Sequence, residues 1–145
     1  MNEKSQNKQE GVQLQVNMET VIETKTTKTF LRKDGLIQVD ALPNSKMTIE
    51  DAIENIEAQK SLANGKKYPL LVNLGAVGSI NRDARVYLGG TEAEKNISAT
   101  AIVVSSIVGK IIGNFMIGLN KTIYPTRLFT EVREAIAWLE QFKDK

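Results

Sequence analysis

The sequence predicts an α/β domain: a mixed, largely parallel β-sheet with a leading β-hairpin and about four helices packed on it. Three observations predict this. A threonine-rich, β-branched opening is punctuated by Asp34-Gly35. Two continuous apolar runs, YPLLVNL at 68–74 and ATAIVV at 99–104, read as strands buried on both faces. Helical patterns alternate with these runs, which implies crossover helices between parallel strands.

Residues 1–11 are polar, mixed in charge and expected to be a disordered tail. Residues 12–145 are expected to form one domain. Val12, Leu14, Val16 and Met18 alternate with polar residues, the period of a half-buried strand. Asp34-Gly35 lies between two β-branched runs within 21–42, so a hairpin is expected to turn near Lys33–Gly35. Thr48 with Asp51 three residues later predicts a helix start of the capping-box kind. Ile49, Ala52, Ile53, Ile56 and Leu62 would be its inward face. Asn64-Gly65 would end it in the left-handed region. Ser79 is expected to cap a second helix carrying Ile80, Ala84, Tyr87 and Leu88. Gly89-Gly90 would interrupt that helix, with a further turn at 91–95. A third helix is expected over 107–119, with Ile107, Val108, Ile111, Ile112, Phe115 and Leu119 inward. A short strand at Leu128-Phe129 and a last helix capped by Thr130 complete the order. Val132, Ala135, Ile136, Leu139 and Phe142 would face the core of that last helix.

Composition limits the chemistry. The chain has 145 residues, no cysteine and no histidine. Disulfides and thiolate metal sites are therefore excluded. The commonest general base, and the base of every Ser–His or Cys–His pair, is missing. The reading is a non-enzyme with no cofactor and no metal. A net charge of +2 with interleaved signs does not announce nucleic acid. No secretory signal is recognised, and polar residues interrupt the apolar stretch 102–119, so no stable membrane insertion is expected. A cytoplasmic location follows as the expectation.

The chain resembles the SpoIIAA-like branch of the STAS superfamily, the fold of bacterial anti-sigma-factor antagonists. The resemblance is carried by the Asp34-Gly35 hairpin, the acidic helix opening Met47-Thr48-Ile49-Glu50-Asp51-Ala52, and the strand Pro69-Leu70-Leu71-Val72-Asn73 followed by a helix with Ala84-Arg85. Its most specific part is the ending Tyr124-Pro125-Thr126-Arg127-Leu128-Phe129, then Glu134-Ala135-Ile136-Ala137-Trp138-Leu139. It implies a regulatory module that binds a kinase-like protein. It also implies a switch, by phosphorylation of a serine where the central strand meets the next helix. Domains of this fold have also been linked to small-molecule, nucleotide or lipid binding. The phosphorylated pattern of that family is Asp-Ser-Ser/Thr-Gly. Here the turn reads Leu74-Gly75-Ala76-Val77-Gly78-Ser79, without the aspartate or the tandem hydroxyls.

Five features are candidate sites, each with a plainer reading. Ser79 is a candidate phosphorylation site or simply a helix cap. Gly75, Gly78, Ser79 and Arg82 are a candidate anion or ligand loop. They lack the third glycine of a dinucleotide fingerprint and the Lys-Ser/Thr of a P-loop, so a tight turn accounts for the glycines equally well. Ile107, Ile111 and Phe115 could face a small apolar or lipid-like ligand or a partner, or could be core. Trp138 could anchor an interface or cover the sheet edge. Asp34, Asp40, Glu50, Asp51 and Glu54 have structural roles to hand, in a turn and a helix start, rather than acid–base work. The function read from the sequence is binding to a protein partner. The alternatives are a carrier of a small apolar ligand and, third, a carboxylate or lysine enzyme. A homodimer is also expected to be within reach.

Overall fold

The structure is a computed structural model that describes residues 20–75, 77–105, 110–114 and 122–144. The predicted strand at 12–18, the tail, and Ile107 and Phe115 lie outside the described residues. The elements are β1 (Val21–Glu23), β2 (Thr27–Leu31), β3 (Ile37–Ala41), β4 (Lys46–Met47), α1 (Ile49–Ala63), β5 (Tyr68–Asn73), β6 (Ser79–Ile80), α2 (Arg82–Leu88), α3 (Thr91–Glu94), β7 (Ile97–Val103), β8 (Thr126–Phe129) and α4 (Val132–Leu139). Residues 110–114 are also helical. A six-stranded sheet runs in the order β1-β2-β3-β5-β7-β8. The first two pairings are antiparallel, and the other three are parallel. A separate short parallel ladder joins β4 to β6.

The leading hairpin forms as expected, but with a different turn. β2 and β3 pair from Thr27↔Ala41 to Leu31↔Ile37, leaving 32–36 as the loop. Gly35 alone in that loop has positive φ, at 87°. A two-residue turn would need a second such residue. Asp34 instead keeps ordinary backbone and accepts a forked ion pair from Arg32, with Nη2 to Oδ2 at 2.9 Å. Burial alone would raise the Asp34 carboxyl, but the Arg32 guanidinium holds it below the usual value.

α1 begins and ends where the sequence places it. The Thr48 backbone N–H donates to Asp51 Oδ2 at 2.9 Å, and the Thr48 hydroxyl donates to the same oxygen at 3.0 Å. Asn64 (φ 50°) and Gly65 (φ 85°) close the helix in the left-handed region. Its inward face differs from the apolar one predicted. Ala52 and Ile56 are buried, but Ile53 is 41% exposed, and Asp51, Asn55 and Gln59 are buried instead.

Two further helix starts are corrected. Asn81, not Ser79, caps α2, its Oδ1 accepting from Ala84 N–H at 2.9 Å. Ser79 and Ile80 are drawn into β6 by pairing with Lys46 and Met47, so the helix cannot begin until they are past. Glu131, not Thr130, stands at the N-cap of α4, and Val132 is exposed. Ile111, expected inward, is 58% exposed. Gly113 takes the inward position, where an added Cβ would lie 2.6 Å from Leu128 Cδ1.

The sheet is packed on both faces, because side chains alternate along each strand. One face carries Leu36, Leu71, Ala99, Ala101 and Val103 against Ala135 and Leu139 of α4. The other carries Ile37, Val39, Leu70 and Ile102 beneath α1 and α2. Trp138 is half-buried between Phe129 of edge strand β8 and Phe142, with ring centroids 5.8 and 4.8 Å away. It packs against the edge strand while part of its ring stays at the surface.

Candidate functional site

The strand-to-helix turn after β5 holds several of the predicted site residues. Gly75 adopts φ 41°. Gly78 lies where a Cβ would come within 2.7 Å of the Ser45 carbonyl oxygen and 2.9 Å of that of Asn44. Only glycine fits such a backbone approach without a shift. The N–H groups of Gly78 and Ser79 both donate to Ser45 O, at 2.9 and 3.0 Å. An anion cradle needs free amides, and these two are committed to fastening the turn onto the β3–β4 connection. The Ser79 and Arg82 side chains are exposed beside it.

The five acids singled out are not gathered into one cleft. Asp34 pairs with Arg32, and Asp40 accepts from Gln38 Nε2 at 2.8 Å. Asp51 serves the start of α1, where Glu50 is exposed, and Glu54 accepts from Lys25 N–H at 3.4 Å. Among the described residues no three His, Cys, Asp or Glu side chains are grouped to hold a metal. Among the described residues, too, no helix is long and apolar enough to cross a membrane.

Sequence reasoning missed the polar stripe of α1. Asn55 is 2% exposed and tied to the bend between β1 and β2. Its Oδ1 accepts from Thr24 Oγ1 and Thr27 Oγ1, both at 2.7 Å, and its Nδ2 donates to Thr26 Oγ1 at 3.2 Å. A buried amide with partners on both ends is satisfied and fixes register. The threonine cluster 24–29 was a usable signal: buried strand hydroxyls need partners on the element that covers them.

Beside this network lies a partly enclosed chamber of about 60 Å³, between α1 and strands β3, β5 and β7. Its walls are mostly aliphatic, and Thr27, Asn55, Gln59, Thr100 and Tyr124 supply the polar lining. The Tyr124 hydroxyl donates to the Leu88 carbonyl at 2.7 Å. Burial pushes its pKa up to about 12, while Thr100, a donor to the ionised form, pulls it back. Thr100 Oγ1 makes no hydrogen bond while the phenol is neutral. Gln59 Oε1 likewise has no partner. Gln59 and Thr100 are each 4% exposed. None of residues 110–114 lines this chamber.

One solved structure agrees with this architecture. An uncharacterised protein of the DUF3478 family with a SpoIIAA-like fold, from Shewanella loihica PV-4, superposes with a TM-score of 0.52 at 16% identity. The match covers 84% of this chain and 92% of that one. An anti-sigma factor antagonist from Mycobacterium paratuberculosis gives 0.48 at 16% identity, with the same coverages. A protein of unknown function from Arthrobacter sp. FB24 gives 0.31 at 26% identity, over 77% of this chain and 96% of that one. The first likeness shows the fold, which is SpoIIAA-like, as the resemblance implied. No curated protein matches the sequence. The family model described as a domain of unknown function, DUF7793, matches residues 30–143, and the chain belongs to that family.

Proposed function

We propose that the chain is a non-enzymatic regulatory module that acts by binding another protein. The observation that carries this reading is a pair of exposed apolar side chains on two helices that pack together. Ile53 on α1 is 41% exposed and Val86 on α2 is 47% exposed. Exposed aliphatic groups on a rigid helical layer suit a protein contact. Support also comes from the chain's resemblance to anti-sigma-factor antagonists, and from the structural commitments of the acids among the described residues. Ser79 and Arg82, exposed at the entry to α2, would border the same helical layer. Phosphorylation of Ser79 would then act by adding charge beside the contact, since the neighbouring amides are already engaged.

The test is affinity capture with full-length chain from the source cells, comparing the wild type with an Ile53→Glu, Val86→Glu double variant. Circular dichroism would confirm that the variant is folded. A stoichiometric protein lost only in the double variant supports the reading, and phosphate mapped to Ser79 by intact mass would locate its switch. Equal capture by both chains, or no stoichiometric protein with either, counts against it. Self-association is read separately, by light scattering across a concentration series.

A further inference from the structure

We propose that this chain pairs with a second copy of itself through β1, residues 12–18 of each copy adding a strand to the outer edge of the other's β1. The pairing does not rest on the helical contact proposed above.

β1 is an edge strand, and among the described residues it pairs only with β2. The outer N–H and C=O groups of such a strand are a template for another. The chain just before β1 lacks the charges and prolines that usually blunt an edge. Residues 11–18, GVQLQVNM, hold neither. Val12, Leu14, Val16 and Met18 recur at a period of two, and the same count runs on through Thr20 to Ile22. Ile22 stands opposite Thr29, which is fully buried, on the face where Thr27 bonds to Asn55 of α1. The apolar series is therefore in phase with the buried side of the sheet.

Register denies this segment a partner within its own chain. Val21 pairs with Phe30, and β2 stops one residue later at Leu31 before turning through 32–36. A strand traced back from Val21 thus passes the end of β2 beyond Thr20. Folding back onto the outer edge of its own β1 would need a turn within Asn17–Thr20. Those residues include no glycine, and the turn would take Met18 out of the alternation.

A second copy meets both needs at once. Arm and edge are parts of one strand, so an antiparallel pairing about a two-fold axis gives each arm an edge and each edge an arm. A foreign strand would fill the edge and leave the arm unpaired. Setting Val16 opposite Ile22 and Met18 opposite Thr20 keeps the apolar series on one face, and lays each arm beside the stretch of β1 that β2 backs. Gln15 then stands opposite Glu23 on the other face.

The experiment is sedimentation equilibrium of the full chain across a concentration series, wild type against a Val16→Lys, Met18→Lys double variant. Circular dichroism checks that the variant is folded. We expect a monomer–dimer equilibrium whose midpoint rises at least about tenfold in the variant, since every dimer loses these cross-strand pairs twice over. A second measurement leaves the apolar series intact. The chain has no cysteine, so Gln15→Cys and Glu23→Cys each introduce a lone thiol. Mixed, the two single variants should cross-link to each other on oxidation. Either alone should not, because like positions lie far apart in this antiparallel register. A wild type that stays monomeric at every concentration overturns the proposal. So does a dimer that the lysine variant keeps unweakened, since it would lie on another surface. Cysteines that cross-link no better mixed than alone overturn it as well.

Discussion

The two faces of the sheet solve the same burial problem differently. Beneath α4, the buried cluster is built of leucine, valine and alanine and edged by Phe129, Trp138 and Phe142. Ala99, Ala101, Ala135, Leu36 and Leu139 are all fully buried. Beneath α1, aliphatic residues share the layer with Asp51, Asn55, Gln59, Thr27, Thr29 and Thr100, and a chamber remains. Small residues let one helix approach the strands closely. Polar residues on the other face demand particular partners and leave room when those partners do not fill it. The lesson is a division of labour within one domain: the dry face supplies close packing, and the mixed face supplies register and leaves an unfilled chamber.

The largest expected effect tests the dry face. Leu139→Ala should lower unfolding free energy by about 3 kcal/mol in urea denaturation, through lost transfer energy and the cavity left behind. A loss below about 1 kcal/mol would mean that α4 relaxes onto the sheet and that the contrast between faces is weaker than drawn. Next comes the polar network. Asn55→Ala strips partners from three threonine hydroxyls and should cost about 2 kcal/mol. If Asn55→Leu were as stable as wild type, the network would be replaceable by packing, and the mixed face would differ from the dry one only in composition.

The smallest effect sharpens the comparison from the side of pH. Tyr124 ionises near the ordinary value of 10.0 when unfolded but is pushed up to about 12 by burial in the fold. The stability it contributes is therefore complete below pH 10 and is lost as the pH rises from 10 to 12. At pH 11, midway, the loss is about 1.4 kcal/mol. Alkaline denaturation followed by tyrosine absorbance should show this, and Tyr124→Phe should flatten that part of the curve. An unchanged curve in the variant would mean that water reaches the hydroxyl and that the chamber is open.

Much of the fold was legible because it is written in local signals. The start of α1 at Thr48 and Asp51, its end at Asn64-Gly65, and the buried runs that became β5 and β7 each depend on a few neighbouring residues. What failed depended on distant ones. Ser79 looked like a cap because nothing nearby reveals that Lys46–Met47 will pair with it. Ile53 and Ile111 looked inward because periodicity counts apolar residues and cannot weigh the threonines or glycine that claim the inward positions. The site was less legible still. Ile107 and Phe115 lie outside the described residues. Gly75, Gly78 and Ser79 are adjacent in sequence, but the Ser45 carbonyl that occupies two of their amides is contributed by another segment. Of the chamber's polar lining, neither Gln59 nor Thr100 had been singled out.

The β4–β6 ladder has a kinetic consequence. It joins residues 46–47 to 79–80, far apart along the chain, by very few backbone bonds. Such a contact forms late in folding and is among the first to part in a native-state fluctuation. Met47 and Ile80, its apolar members, are also part of the chamber wall. Parting the ladder would breach the wall there without unfolding either helix. Solvent exchange at the Gly78 and Ser79 amides, followed at high pH where exchange outruns closing, therefore reads the rate of those openings, which caps how fast anything can enter or leave by that route.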